Sequence, residues 1–79
     1  MTRTVRLVGG QGCHLCESAR SVIEELQSEL PFDLEEVDIT GDPELEARYR
    51  ERIPVVYVDG EVAFTYFVQR GALRRRLAQ

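Results

Sequence analysis

The chain has 79 residues, 43% of them hydrophobic and 30% charged, which fits one small domain over 1–79 with a thin core and no room for a separate cofactor domain. All ten basic residues are arginine, and the net charge of −4 argues against tight non-specific binding to nucleic acid or to anionic membranes. The two cysteines, Cys13 and Cys16, exclude a disulfide-stapled secreted scaffold, because a bridge between them closes a four-residue loop worth only roughly 2 kcal/mol.

Val5-Arg6-Leu7-Val8 reads as a first strand, ended by Gly9-Gly10-Gln11-Gly12. A helix begins at the cysteines, where Leu15, Ala19, Val22, Ile23 and Leu26 form one apolar stripe. Pro31 lies beyond its end, and Leu34 to Ile39 reads as a second strand whose mixed polarity suits a sheet edge. Asp42-Pro43 predicts a helix start, aspartate at the N-cap and proline at the first helical position. Leu45 and Tyr49 mark the buried side of that helix, Glu44–Arg48 and Glu46–Arg50 are i,i+4 pairs, and Pro54 stops it near Ile53. Val55–Val58 is the most strand-like segment; Asp59-Gly60 supplies a two-residue hairpin turn, and Glu61–Tyr66 returns antiparallel. A last helix covers about Gln69 to Leu77, with Leu73 and Leu77 facing inward. The fold class is therefore α/β, in the order β-α-β-α-β-β-α, with a right-handed parallel first unit, a final hairpin and helices flanking a mixed four-stranded sheet.

Charge is uneven along the chain: residues 17–46 carry eleven acids and one base, residues 47–79 seven bases and three acids. This reads as two oppositely charged, solvated faces. Arg74-Arg75-Arg76 complements a helix C-terminus. Phe64, Tyr66 and Phe67 read as core, with an apolar docking rim near the active site as the other reading. No signal segment or membrane span is visible, so the expected setting is the cytoplasm, where a close cysteine pair is redox-active or metal-binding.

Gly12-Cys13-His14-Leu15-Cys16 falls where the first strand's loop becomes the first helix. Unpaired N–H groups at a helix N-terminus stabilise a thiolate, so Cys13 is expected to be exposed and anionic, with Cys16 deeper. Cys13 then attacks a disulfide and Cys16 resolves the mixed disulfide. His14 either lowers the thiol pKa further as a partly protonated imidazole or is simply an exposed residue at the helix start. Leu15 is a hydrophobic lip or the first core contact. A structural zinc site needs four ligands, and beyond Cys13, Cys16 and His14 only carboxylates remain, so no metal ligands are assigned.

These residues, together with Ile53-Pro54-Val55, resemble the glutaredoxin branch of the thioredoxin superfamily from Val5 to Leu77; G-C-H-L-C looks especially like a group of small bacterial glutaredoxin-like proteins. The resemblance implies a thioredoxin-like fold, a cis Pro54, and an Ile53 backbone presented with Pro54 to an extended substrate strand beside Cys13. It implies a disulfide oxidoreductase acting on protein or small-molecule disulfides in redox homeostasis and electron transfer. No cofactor is expected beyond glutathione as a reductant, a thioredoxin reductase system being the other source of electrons. The partners expected are these substrates and reductants, with no nucleic acid and no membrane, and a monomer. Three positions depart from the family's glutathione users: Gly10 where a lysine is common, Leu15 where an aromatic is common, and Phe64-Thr65 where a Gly-Gly pair aligns. Phe64 could fill space that a γ-glutamyl group would need, and only Arg48, Arg50 or Arg52 remain to meet glutathione carboxylates. Two further readings stay open: a metal or iron–sulfur carrier using the same cysteines, and a thioredoxin-like binding module without turnover.

Overall fold

The computed structural model describes residues 2–78; Met1 and Gln79, the ends of the expected domain, lie outside the described residues. The elements follow the expected order: β1 (Arg3–Gly9), α1 (His14–Gln27), β2 (Phe32–Asp38), α2 (Pro43–Tyr49), β3 (Val55–Val58), β4 (Glu61–Thr65) and α3 (Arg70–Leu77). They build a single sheet in the order β2-β1-β3-β4. β1 runs parallel to β2, from Arg3↔Phe32 to Gly9↔Asp38, and β2 is an edge strand as its polarity suggests. β3 lies antiparallel to β1 and to β4, and a bulge between Val56 and Tyr57 interrupts the β3–β4 ladder.

Alternation along the strands sorts side chains to two faces. Val5 and Leu7 of β1 and Val56 and Val58 of β3 join Ala19, Ile23 and Leu26 of α1 and Leu73 of α3 in the main core. Val8 and Val55 point the other way and join Ile39, with Leu45 and Tyr49 of α2 packed against them. The sheet is thus covered by α1 and α3 on one face and by α2 on the other. The second face is thinner: α2 has no fully buried residue, and a 2.9 Å hydrogen bond between the Tyr49 and Tyr57 hydroxyls helps to tie it to β3. That bond, and burial after it, raises the Tyr57 phenol above its ordinary value.

Several boundaries differ from the sequence expectation. β2 begins at Phe32, two residues before Leu34, because Phe32 is itself a core residue paired with Arg3. α2 ends at Tyr49 well short of Ile53, and the Arg52 N–H closes a turn onto the Tyr49 carbonyl at 2.8 Å. Its cap is as expected: Asp42 accepts from the N–H groups of Glu44 and Leu45, with Pro43 following. The two i,i+4 pairs on α2 do not form; Glu46 Oε1 accepts from the Gly41 N–H, and the Arg48 guanidinium lies 5.7 Å from the Tyr49 ring centre.

The two charged halves do not form separate solvated faces, because Arg70 pairs with Glu25 and Arg74 with Glu29, which joins α3 to α1. The three aromatics also divide: Phe64 packs against the main core, while Tyr66 and Phe67 are 41% and 68% exposed. Phe64 and Thr65 are ordinary strand residues, and the left-handed conformation falls on Tyr66, with φ 71°.

Candidate active site

The strand directions bring four chain segments to one end of the sheet. β1 ends at Gly9 beside Asp38, the end of β2. Val8 pairs with Val55, so β3 starts at that same end, directly after Ile53-Pro54. Val55 pairs with Thr65, so β4 finishes there and delivers Tyr66 and Phe67.

Cys13 is the N-cap of α1, with extended backbone (φ −99°, ψ 108°). Gly12 makes the approach possible: its φ of 73° is one that a side chain disfavours, although an added Cβ would meet nothing within 4 Å. The Cys16 N–H donates to Cys13 Sγ at 3.1 Å, so the first sulfur occupies the place of a capping oxygen. Both sulfurs are joined in a disulfide, with 5.2 Å between the Cα atoms. Cys16 is buried, at 6% exposure; Cys13 is half-buried, less open than the sequence suggests. Gly9 explains how Cys16 fits, since a Cβ at Gly9 would stand 3.1 Å from Cys16 Sγ and 3.2 Å from its Cβ.

His14 and Leu15 open the helix and are exposed, Leu15 at 37%. The Ile53–Pro54 peptide is cis, and Pro54 is fully buried. Ile53 abuts the cysteine loop, its Cδ1 lying 3.2 Å from where a Gly10 Cβ would be. Among the described residues, neither the N–H nor the C=O of Ile53 has a backbone partner. The Pro54 carbonyl instead accepts from the Tyr66 N–H at 2.8 Å, and the Tyr66 hydroxyl donates to the Glu51 carbonyl at 2.5 Å.

The cysteine loop is also tied to the end of β2. Gln11 N–H donates to Thr40 Oγ1 at 2.9 Å, and Thr40 N–H donates to Asp38 Oδ1 at 2.8 Å. The Thr40 N–H, then its hydroxyl, hold the Asp38 carboxyl below its ordinary value, with Gln11 and Arg20 adding to the effect. Asp38, Arg20 and Cys16 share a shallow cleft on this side. Among the described residues, no group of three or more His, Cys, Asp or Glu side chains is placed to hold a metal ion, and no helix is long and apolar enough to cross a membrane.

The cysteine loop and the Ile53-Pro54 segment are thus brought together as the sequence suggests. Gly9 and Thr40 were not legible as parts of this end; Tyr66 was, through the docking-rim reading, but its left-handed backbone was not. Thr40 carries a weak signal, an Asp two residues before it that can close an Asx turn; a positive φ at a tyrosine carries none.

This sheet order, its helices and a cysteine pair capping α1 define a thioredoxin-like α/β protein. Within that class, residues 4–78 match the model of the glutaredoxin-like domain (DUF836), and the chain belongs to this family. An uncharacterized protein of Mycobacterium tuberculosis is 35% identical over 80 residues, spanning 95% of this chain and 82% of that protein; a Mycobacterium bovis protein matches to the same extent. An NMR structure of a protein from Nitrosomonas europaea superimposes with a TM-score of 0.78 at 29% identity, covering 98% of this chain and 93% of that one. An X-ray structure of a protein from X. campestris gives 0.76 at 24% identity, covering 94% and 95%. A mutant thioredoxin of Halobacterium salinarum gives 0.65 at 20%, covering 95% and 71%; these last two speak to the fold alone.

Proposed function

We propose that the protein is a glutaredoxin-like thiol–disulfide oxidoreductase that reduces protein or small-molecule disulfides through Cys13 and Cys16. The observation that carries this reading is the capped sulfur: Cys13 Sγ receives the Cys16 N–H at the positive end of a fourteen-residue helix. The same N–H and the helix dipole favour the thiolate once the pair is reduced.

The Cys13 thiolate attacks one sulfur of a substrate disulfide, forming a mixed disulfide and releasing the other sulfur as a thiolate. Cys16, deprotonated, then attacks Cys13 Sγ, which forms the Cys13–Cys16 bond and releases the second substrate sulfur. Two electrons have moved to the substrate, two protons complete its thiols, and a thiol reductant restores the pair. Glutathione or a flavoprotein thioredoxin reductase is the reductant, and the reducing cytoplasm the setting; a monomer suffices for the chemistry. The open N–H and C=O of Ile53, fixed beside Pro54, would pair with an extended substrate strand. Leu15 offers an apolar lip, and His14 and Gly12 modulate the helix start where Cys13 sits.

Alkylation of the reduced protein near neutral pH is expected to label Cys13 much faster than Cys16. Cys16→Ser should trap a mixed disulfide with substrate, and Cys13→Ser should be inert. Equal, slow labelling of both thiols together with no trapped species would sink the proposal.

A further inference from the structure

All ten arginines lie within the described residues, and six of them hold a carboxylate. The pairs are Arg3–Asp59, Arg6–Glu35, Arg20–Glu36, Arg70–Glu25, Arg74–Glu29 and Arg76–Glu61. Arg75 pairs with none among the described residues and lies in a cleft with Asp59, at the opposite end of the sheet. The other three are Arg48, Arg50 and Arg52, all exposed and all on the approach to Ile53-Pro54. In a chain with fourteen acidic residues, three of the four arginines that hold no carboxylate are gathered at the redox end.

The arrangement is partly fixed. Arg52 Nη2 donates to the Arg48 carbonyl at 2.8 Å, and the Arg48 guanidinium rests over the Tyr49 ring. Tyr66 closes the side of the same depression as the three arginines, held at a positive φ by its bonds to Pro54 and Glu51. Arg50 also lines a second depression with Glu46, Gly10 and Ile53, so the arginine surface reaches the cysteine loop with one carboxylate beside it. Three arginines against Glu51 leave a net +2 over residues 48–52.

We propose that Arg48, Arg50 and Arg52, with Tyr66 at their edge, form the docking track for an acidic segment of the polypeptide whose disulfide is reduced. The inference rests on the redox reading above and names the chemistry of its substrate: carboxylates beside the cystine meet the arginines while its backbone reaches Ile53. Pre-positioned, unpaired guanidiniums suit planar carboxylates, and like-charged partners are turned away.

The test uses twin synthetic peptides carrying the same disulfide, with glutamate or glutamine at the flanking positions. At about 0.01 M salt, kcat/KM for the acidic twin should exceed that for the neutral twin by roughly tenfold. The ratio should fall toward one at about 0.5 M salt, where charges are screened. It should fall likewise in Arg48→Gln/Arg50→Gln, a pair that leaves the Arg52 bond in place. A fluorescein-labelled acidic peptide without cysteine should bind the wild-type protein by anisotropy, with the same dependence on salt and on the two arginines. Equal rates for the twins with no anisotropy change would overturn the docking track and leave the redox reading standing. Salt-dependent peptide binding without reduction of either twin would uphold the track and sink the redox reading. Tighter binding of a single-stranded oligonucleotide would overturn the proposal, as would a dependence on Arg48 and Arg50 shown by oxidised glutathione instead of the acidic twin. The twin ratio and its salt series on the wild-type protein decide for or against the track even if the variant does not fold.

Discussion

Gly9 and Cys16 share a space that has no room for another methyl group, whereas Gly12 sits in the open with a left-handed backbone. The two glycines therefore resist substitution for different reasons. Gly9→Ala is expected to lose about 1–3 kcal/mol through overpacking. The loss should be larger in the oxidised protein, where the Cys16 sulfur is held by its bond and cannot rotate away. Gly12→Ala should lose about 1–2 kcal/mol from the backbone alone, to the same extent in both redox states. Urea unfolding of the two variants, oxidised and reduced, separates these causes; equal penalties for Gly9→Ala in both states would contradict the packing account. The cysteines themselves were legible from their spacing and their place before an apolar helical stripe. Gly9 was not, because its role is a contact with a residue seven positions on, and a sequence shows only that a loop begins there.

At the scale of elements, the β3–β4 hairpin is the part best written in the sequence. Asp59 and Gly60 have φ of 50° and 85°, the signs that a type I′ turn requires. The turn is also fastened to β1, in a way the sequence does not show. Asp59 Oδ1 accepts from the Thr4 N–H at 3.0 Å, and Oδ2 accepts from Arg3 at 2.7 Å. The Thr4 N–H first, and the Arg3 guanidinium after it, lower the Asp59 carboxyl below its ordinary value. A depressed carboxyl stabilises the fold above the unfolded value of about 3.9, and that contribution is lost as pH falls through the folded value. Asparagine tolerates a positive φ, so Asp59→Asn removes the charge and spares the turn. The wild-type protein should be the more stable above about pH 4, and the two stability curves should converge on further acidification. Parallel curves in acid would show that Asp59 does not act through its charge. The misplaced boundaries have different causes. Phe32 joins β2 through its partner Arg3 across the sheet, despite Pro31 beside it. The turn from the Arg52 N–H onto the Tyr49 carbonyl, by contrast, ends α2 before Pro54 is reached.

For the whole molecule, the thin core inferred from length has a definite composition. Ile23, Leu26, Leu73, Val5 and Val56 are sealed from solvent in one cluster, and Leu73 is the sole fully buried residue of α3. A domain of this length has about 4–12 kcal/mol of stability in total, and Leu73→Ala should remove about 2–5 kcal/mol. Thermal unfolding should then begin near ambient temperature, and a loss too small to measure would mean that α3 is not needed to close the core. The surface ion pairs cannot make good such a loss. Arg74–Glu29 and Arg70–Glu25 are about half exposed and worth at most about 1 kcal/mol each. Their existence was hidden in the sequence, where the partners lie 45 positions apart and only the imbalance of charge is visible. The other face is anchored more lightly, since Leu45 and Tyr49 hold α2 with no residue fully buried. Local opening of the segment from Pro43 to Arg52 would leave Ile23, Leu26 and Leu73 covered, and so costs less than unfolding the domain. The proposed cationic track would loosen with it, while Cys13 stayed capped on α1. On the proposed reading, partner choice and sulfur chemistry would rest on two parts of different rigidity, and the surface that selects would reshape without disturbing the atom that reacts.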